Sequence, residues 1–274
     1  MTRLSHTFGC GSLTLAGTLD TAPGTTGLLI VSGGNEIRSG AFGGQADMAA
    51  RIARAGFPVF RFDRRGIGDS EGQNRGFRHS AKDIACAVDA FRAMTPQIAR
   101  VVAFGNCDAA SALMLAGGAG CDGLVLSNPW TIEQDESHGA ADDTPPPAAI
   151  RARYLEKLKN PREVMRLLGG GVNLGKLARG IVHALRPPPP PSSLAQDMAA
   201  GLAGFTGSVR ILVATADRTA QVFEAAWDRN DPRICRCEGA GNDQRMALEG
   251  RDFFHGRDLQ RTVGSWRMTI SMRP

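Results

Sequence analysis

The chain has 274 residues, 42% of them hydrophobic, which suits one large domain, or one domain with an insertion, around a buried core. The net charge is +5, but lysine occurs only at Lys82, Lys157, Lys159 and Lys176, so arginine makes up most of the 32 basic residues. No basic run is interleaved with aromatics, which argues against nucleic-acid binding, and no apolar run reaches the length of a signal-peptide core or a membrane span. A cytoplasmic chain with no membrane span is expected, its six cysteines reduced. Nothing in the sequence sets its oligomeric state.

Residues 4–10 and 12–19 read as two strands joined at Gly9-Cys10-Gly11, a hairpin. Residues 28–32 (LLIVS) form a continuous apolar run, a buried strand that ends in Gly33-Gly34-Asn35. Glycines after a central strand let backbone N–H groups point into a cavity, as an oxyanion hole requires, and a plain loop is the alternative. Residues 45–54 suit a helix and 58–62 a second buried strand, which runs into the polar turn Asp63-Arg64-Arg65-Gly66-Ile67-Gly68-Asp69-Ser70. Phe77, Ile84, Val88 and Phe91 recur at helical spacing. His79, at the start of that stripe, is read as serving the helix end.

The next segment is the most informative. Residues 101–104 (VVAF) are apolar, 109–115 (AASALML) are small and helix-forming, and Gly105-Asn106-Cys107-Asp108-Ala109 lies between them. A strand turning sharply into a helix needs small residues where the backbones pack closely. This is the nucleophile-elbow pattern G-x-S-x-G, with Cys107 for serine and Ala109 for the last glycine. A thiol at a helix N-terminus is expected to have a lowered pKa. The competing reading makes Cys107 a small buried residue in an ordinary turn.

Residues 123–127 (GLVLS) complete a series of strands alternating with helices, which predicts a mostly parallel sheet with helices on both faces, an α/β fold. Residues 131–205 then read as an insertion of loop, helix and proline tract, including five prolines at 187–191. Arg151, Arg153, Lys157, Lys159 and Arg162 give it a basic face, either a solvated surface or a site for an anionic substrate or carrier. The core is thus assigned to 1–130 and 206–274 and a lid to 131–205. Residues 209–215 (VRILVAT) resume the sheet, with Asp217 just beyond, and 220–227, 233–237 and 259–268 read as helix, strand and closing helix. Cys235 and Cys237 alone are too few for a metal site, and neither a metal nor a cofactor is expected.

The segments SGGNEIRSG (32–40), RFDRRGIGDSEGQNRGF (61–77), GNCDAAS (105–111) and LVLSNPW (124–130) make the chain resemble the α/β-hydrolase family. Within it, the chain is most similar to the hydrolases associated with the exosortase A system, found beside bacterial exopolysaccharide genes. The resemblance implies the α/β-hydrolase fold with an inserted helical lid, and catalytic groups in the order nucleophile, acid, base. Cys107 matches the nucleophile and Asp217 the acid. The base should be a histidine in the loop after the last strand, near 239–244. That loop reads GAGND, and His255 is the only histidine beyond Asp217. Either His255 reaches the site or the triad is broken.

The expected chemistry is hydrolysis of an ester or thioester, small or carrier-bound, through an acyl-enzyme. His255 takes the Cys107 proton, Asp217 orients the imidazole, and the Asp108 N–H with one from Gly34 or Asn35 forms the oxyanion hole. An impaired binding or assembly protein is the alternative that the missing histidine favours. An acyltransferase with the same triad differs only in its acceptor.

Overall fold

The computed structural model describes residues 1–132, 192–228 and 230–237. Strands β1 (Arg3–Cys10) and β2 (Leu13–Asp20) pair as the expected antiparallel hairpin, and β2 pairs antiparallel with β4 (Val59–Phe62). The remaining strands are β3 (Thr26–Val31), β5 (Arg100–Asn106), β6 (Gly123–Ser127), β7 (Ser208–Ala214) and β8 (Ile234–Cys237). From β4 onward every pairing in the sheet is parallel, and the spatial order is β1-β2-β4-β3-β5-β6-β7-β8.

Period-two alternation divides the sheet residues between two cores. Leu28, Ile30, Val102 and Phe104 pack on one face with Met48, Ile52 and Ala53 of α1 (Gly44–Arg54). Leu29, Val31, Val101 and Ala103 point the other way, into the larger cluster. There they meet Ile84, Val88 and Phe91 of α2 (Ala81–Met94) and Leu113 and Met114 of α3 (Asp108–Leu115). Phe223 of α5 (Arg218–Ala226) joins the same cluster, as do Leu194, Met198 and Leu202 of α4 (Ser193–Ala203). Burying these five side chains on α2 and α3 contributes roughly 1.5–3 kcal/mol each.

The sequence reading assigned α4 to the insertion. The structure instead seats it in the core, with Gly201 so close to the Met114 carbonyl that a Cβ there would collide with it. Residues 133–191 of that insertion lie outside the described residues, as do 238–274 with the expected closing helix. No helix among the described residues is long and apolar enough to cross a membrane.

Candidate active site

Strand order decides what meets at the carboxyl edge of the sheet. After β3 the chain moves outward to β4, then returns to the other flank of β3 as β5. The connections from β3 and β5 therefore leave in opposite directions and open a crevice between them. Register pairs Val31 with Gly105, so the Gly33-Gly34-Asn35 turn and Cys107 emerge side by side. β6 and β7 follow, and their ends carry Asn128 and Asp217.

The turn at Cys107 is sharp. Cys107 has φ 58° and ψ −124°, a backbone region that residues with a Cβ rarely adopt, and α3 starts at the next residue. The conformation is held from several sides. Cys107 N–H donates to the Ser127 carbonyl at 2.9 Å, and the Cys107 carbonyl accepts from Ala110 N–H at 3.1 Å and Trp130 N–H at 3.3 Å. Ser111 Oγ donates to the Trp130 carbonyl at 2.7 Å. Close approach explains Gly105: a Cβ there would lie 2.7 Å from the Ala109 carbonyl carbon.

Gly34 and Asp108 are brought together. Gly34 N–H donates to the Asp108 carboxylate, 2.8 Å from Oδ1 and 2.7 Å from Oδ2. Gly33 has no room for a side chain, because its Cβ would collide with Asp108 Oδ1. Arg64 secures the same turn. Its Nη2 donates to the Gly34 carbonyl and lies 3.8 Å from Asp108 Oδ2, and its Nη1 donates to Ser80 Oγ at 3.0 Å. Asp63, fully buried, accepts from the Arg38 backbone N–H at 2.6 Å and pairs with the Arg38 guanidinium. Sequence reasoning identified the polar turn 63–70 but missed that Asp63 and Arg64 anchor the turn after β3. The signal available was a buried-strand end followed directly by an acid and two arginines. Asn35 is exposed, and its Oδ1 accepts from Asn74 Nδ2 at 2.9 Å.

The expectation of a lowered Cys107 pKa is overturned. The thiol is pushed up to about 11, first by burial and then by the Asp108 charge, with smaller upward contributions from Asp217 and Glu36. The Asp108 backbone N–H acts in the other direction and is outweighed. A helix N-terminus favours a thiolate, but three carboxylates and the loss of water favour the thiol more. Glu36 shares this environment: burial and the Asp108 charge raise its pKa, while Gln45 donates to it at 3.2 Å.

Asp217 lies just beyond β7, at the N-cap of α5, where its Oδ1 accepts from Ala220 N–H at 3.0 Å. Asn128 links the ends of β6 and β7, donating its N–H to the Leu212 carbonyl at 2.8 Å and accepting at Oδ1 from Ala214 N–H at 2.9 Å. His255 lies outside the described residues, so the structure neither joins it to Cys107 nor separates the two. His79 sits in the turn before α2, its Nδ1 2.7 Å from the Arg75 carbonyl oxygen. Among the described residues no three or more His, Cys, Asp and Glu side chains gather as a metal site.

A family model described as serine aminopeptidase, S33, matches residues 26–183, more than half of the chain. Similar solved structures include the alpha/beta hydrolase GrgF from Penicillium sp. sh18, at 17% identity and TM-score 0.59, covering 96% of this chain and 97% of that one. The Pyrococcus furiosus esterase Pf2001 is similar at 14% identity and TM-score 0.56, over 97% and 91% of the two chains. A proline iminopeptidase from Mycobacterium smegmatis is similar at 15% identity and TM-score 0.50, over 96% and 97%. At these identities the likenesses show the fold. No curated protein matches the chain.

Proposed function

The chain belongs to the α/β-hydrolase family described as serine aminopeptidase, S33, and on that premise we propose that it is an acyl hydrolase with Cys107 as its nucleophile. The observation that carries this reading is the Cys107 backbone, at φ 58° and ψ −124° between β5 and α3. That strained geometry lifts a side chain clear of the strand and presents it beside a helix N-terminus.

In this reading the Cys107 Sγ attacks the carbonyl carbon of an ester or thioester, and an acyl-enzyme forms as the alcohol or thiol leaves. His255 accepts the thiol proton and passes it to the leaving group, with Asp217 orienting the imidazole. A base is needed, because a thiol pushed up to about 11 is almost wholly protonated at neutral pH. Oxyanion stabilisation comes from the Asp108 N–H together with that of Gly34 or Asn35. The part of the 131–205 insertion that precedes α4 is the proposed lid, a cytoplasmic location fits the composition, and the motif resemblance links the chain to the exosortase-associated hydrolases and exopolysaccharide synthesis.

The raised Cys107 pKa favours a second reading, a binding or assembly protein that keeps the fold with weak catalysis. Turnover of aryl esters and acyl thioesters separates the two. With Cys107 as nucleophile, Cys107→Ala abolishes turnover and mass mapping finds the trapped acyl group on Cys107. Full turnover in Cys107→Ala overturns the nucleophile assignment. Turnover that is absent even from the native chain, while acyl thioesters still bind, supports the binding protein.

A further inference from the structure

The first oxyanion donor is already in use. Gly34 N–H reaches both oxygens of Asp108, at 2.8 and 2.7 Å. Oxyanion donors are effective when they are fixed in advance and aimed at the charge that develops. Here a negative charge from the chain itself takes that position. Asp108 thus has two opposed parts: its backbone N–H is the second proposed donor, and its side chain fills the first.

Arg64 gives that carboxylate somewhere to go. Its guanidinium lies 3.8 Å from Asp108 Oδ2, within ion-pair range but beyond a hydrogen bond. It is buried, and its Nε has no hydrogen-bond partner among the described residues. A carboxylate rotating away from Gly34 N–H can close on a cation that is already present, so its charge stays paired during the exchange. Arg64 also holds the Gly34 carbonyl, which keeps the turn in place when Asp108 leaves.

Building on the acyl-hydrolase reading, we infer that the Asp108 carboxylate is an internal stand-in for the oxyanion, displaced from Gly34 N–H toward Arg64 as the acyl group is attacked. A neutral carbonyl oxygen is a weaker acceptor than a carboxylate and competes poorly for Gly34. The anionic oxygen of the tetrahedral intermediate competes on equal terms. The gate therefore discriminates against ground-state binding and selects activated acyl groups, thioesters and aryl esters over amides.

The test compares two reactions of Cys107 in the full chain. p-Nitrophenyl acetate acylates the thiolate: the S–C bond forms, the C–O bond breaks, and p-nitrophenolate leaves with the electron pair. Iodoacetamide alkylates the same thiolate by displacing iodide at a saturated carbon, with no oxyanion. Both rates are taken to their high-pH plateau, so that thiol ionisation cancels in their ratio. Asp108→Ala is expected to raise the acylation-to-alkylation ratio about tenfold or more. Asp108→Asn, whose amide oxygen still accepts from Gly34, is expected to give a smaller rise, and Arg64→Gln to lower the ratio. The Gly34 amide proton resonance should lie downfield in the native chain and move upfield in Asp108→Ala.

A ratio that is unchanged or falls in Asp108→Ala, with Cys107 still alkylated, overturns the gate and leaves the nucleophile standing. If Cys107 takes neither reagent in any variant while the Gly34 resonance still moves in Asp108→Ala, the acyl-hydrolase reading fails and the inference with it.

Discussion

The two turns that flank Cys107 are held in different ways. The turn after β3 is tied down by charged groups from distant parts of the chain: Asp108 on its Gly34 N–H, Arg64 on its Gly34 carbonyl, and Asp63 on the Arg38 backbone and guanidinium. The turn after β7 rests on contacts that pair no opposite charges, the Asp217 cap on Ala220 N–H three residues on and the link from Ala214 N–H to Asn128, 86 positions away. The first side is therefore part of the fold's own buried electrostatics. On the second, the Asp217 carboxylate caps a helix three residues away. An oxyanion donor has to be preorganised, whereas an acid that orients a histidine needs only the right place and charge.

The largest effect separates charge from cap on the β7 side. Asp217→Ser keeps an oxygen for Ala220 N–H but cannot stabilise an imidazolium. Turnover is expected to fall by about four orders of magnitude, with urea stability nearly unchanged. His255→Ala should lose turnover to a similar extent. Unchanged turnover in Asp217→Ser would leave Asp217 a helix cap and nothing more.

Stability tests the β3 side. Asp63→Ala removes the buried carboxylate paired with the Arg38 guanidinium, leaving it Asp69 and Thr18, and removes the acceptor for its backbone N–H. A loss of about 2–3 kcal/mol is expected in urea unfolding. A loss below about 1 kcal/mol would make the two turns equally dispensable to the fold. The matching change after β7, Asp217→Ala, removes only a cap and should cost about 1 kcal/mol, more than Asp217→Ser does.

The smallest effect reads both sides at once through the Cys107 thiol. Because its pKa is raised, the thiol is protonated at neutral pH, and iodoacetamide alkylation should climb toward a midpoint near 11 in His255→Ala. Cys10 and Cys121, both pushed up to about 12, should follow later. The native chain should react at lower pH than His255→Ala if the imidazole pairs with the thiol. Asp217→Asn and Glu36→Gln should each move the midpoint down, Asp217 by more, since each removes a negative charge that favours the thiol. A midpoint that ignores both variants would separate Cys107 from both turns.

Much of the fold was legible because its signals are local. The hairpin at Gly9-Cys10-Gly11, the buried runs at β3 to β7 and the small residues around Cys107 all act over a few positions, through strand and helix period and backbone crowding. The helix α4 was harder to read. Its Leu194, Met198 and Leu202 repeat every four residues, but the preceding proline run made the segment look like part of the insertion.

Propensity and spacing, each within one short stretch, fix the alternation of strands and helices, the elbow pattern at Cys107 and the glycine turn after β3. The electrostatics of the site depend on stretches that only folding brings together. Asp108 reaches Gly34 across 74 positions of sequence, and Arg64 reaches the same glycine across 30. The direction of the Cys107 pKa combines the two levels: burial by the fold comes first, then the charge of the adjacent Asp108, then Asp217 and Glu36 brought near by strand order, and together they outweigh the local helix N-terminus. Charges act through space at distances the chain order does not record, so they became readable only once β3, β5 and β7 stood in their places in the sheet.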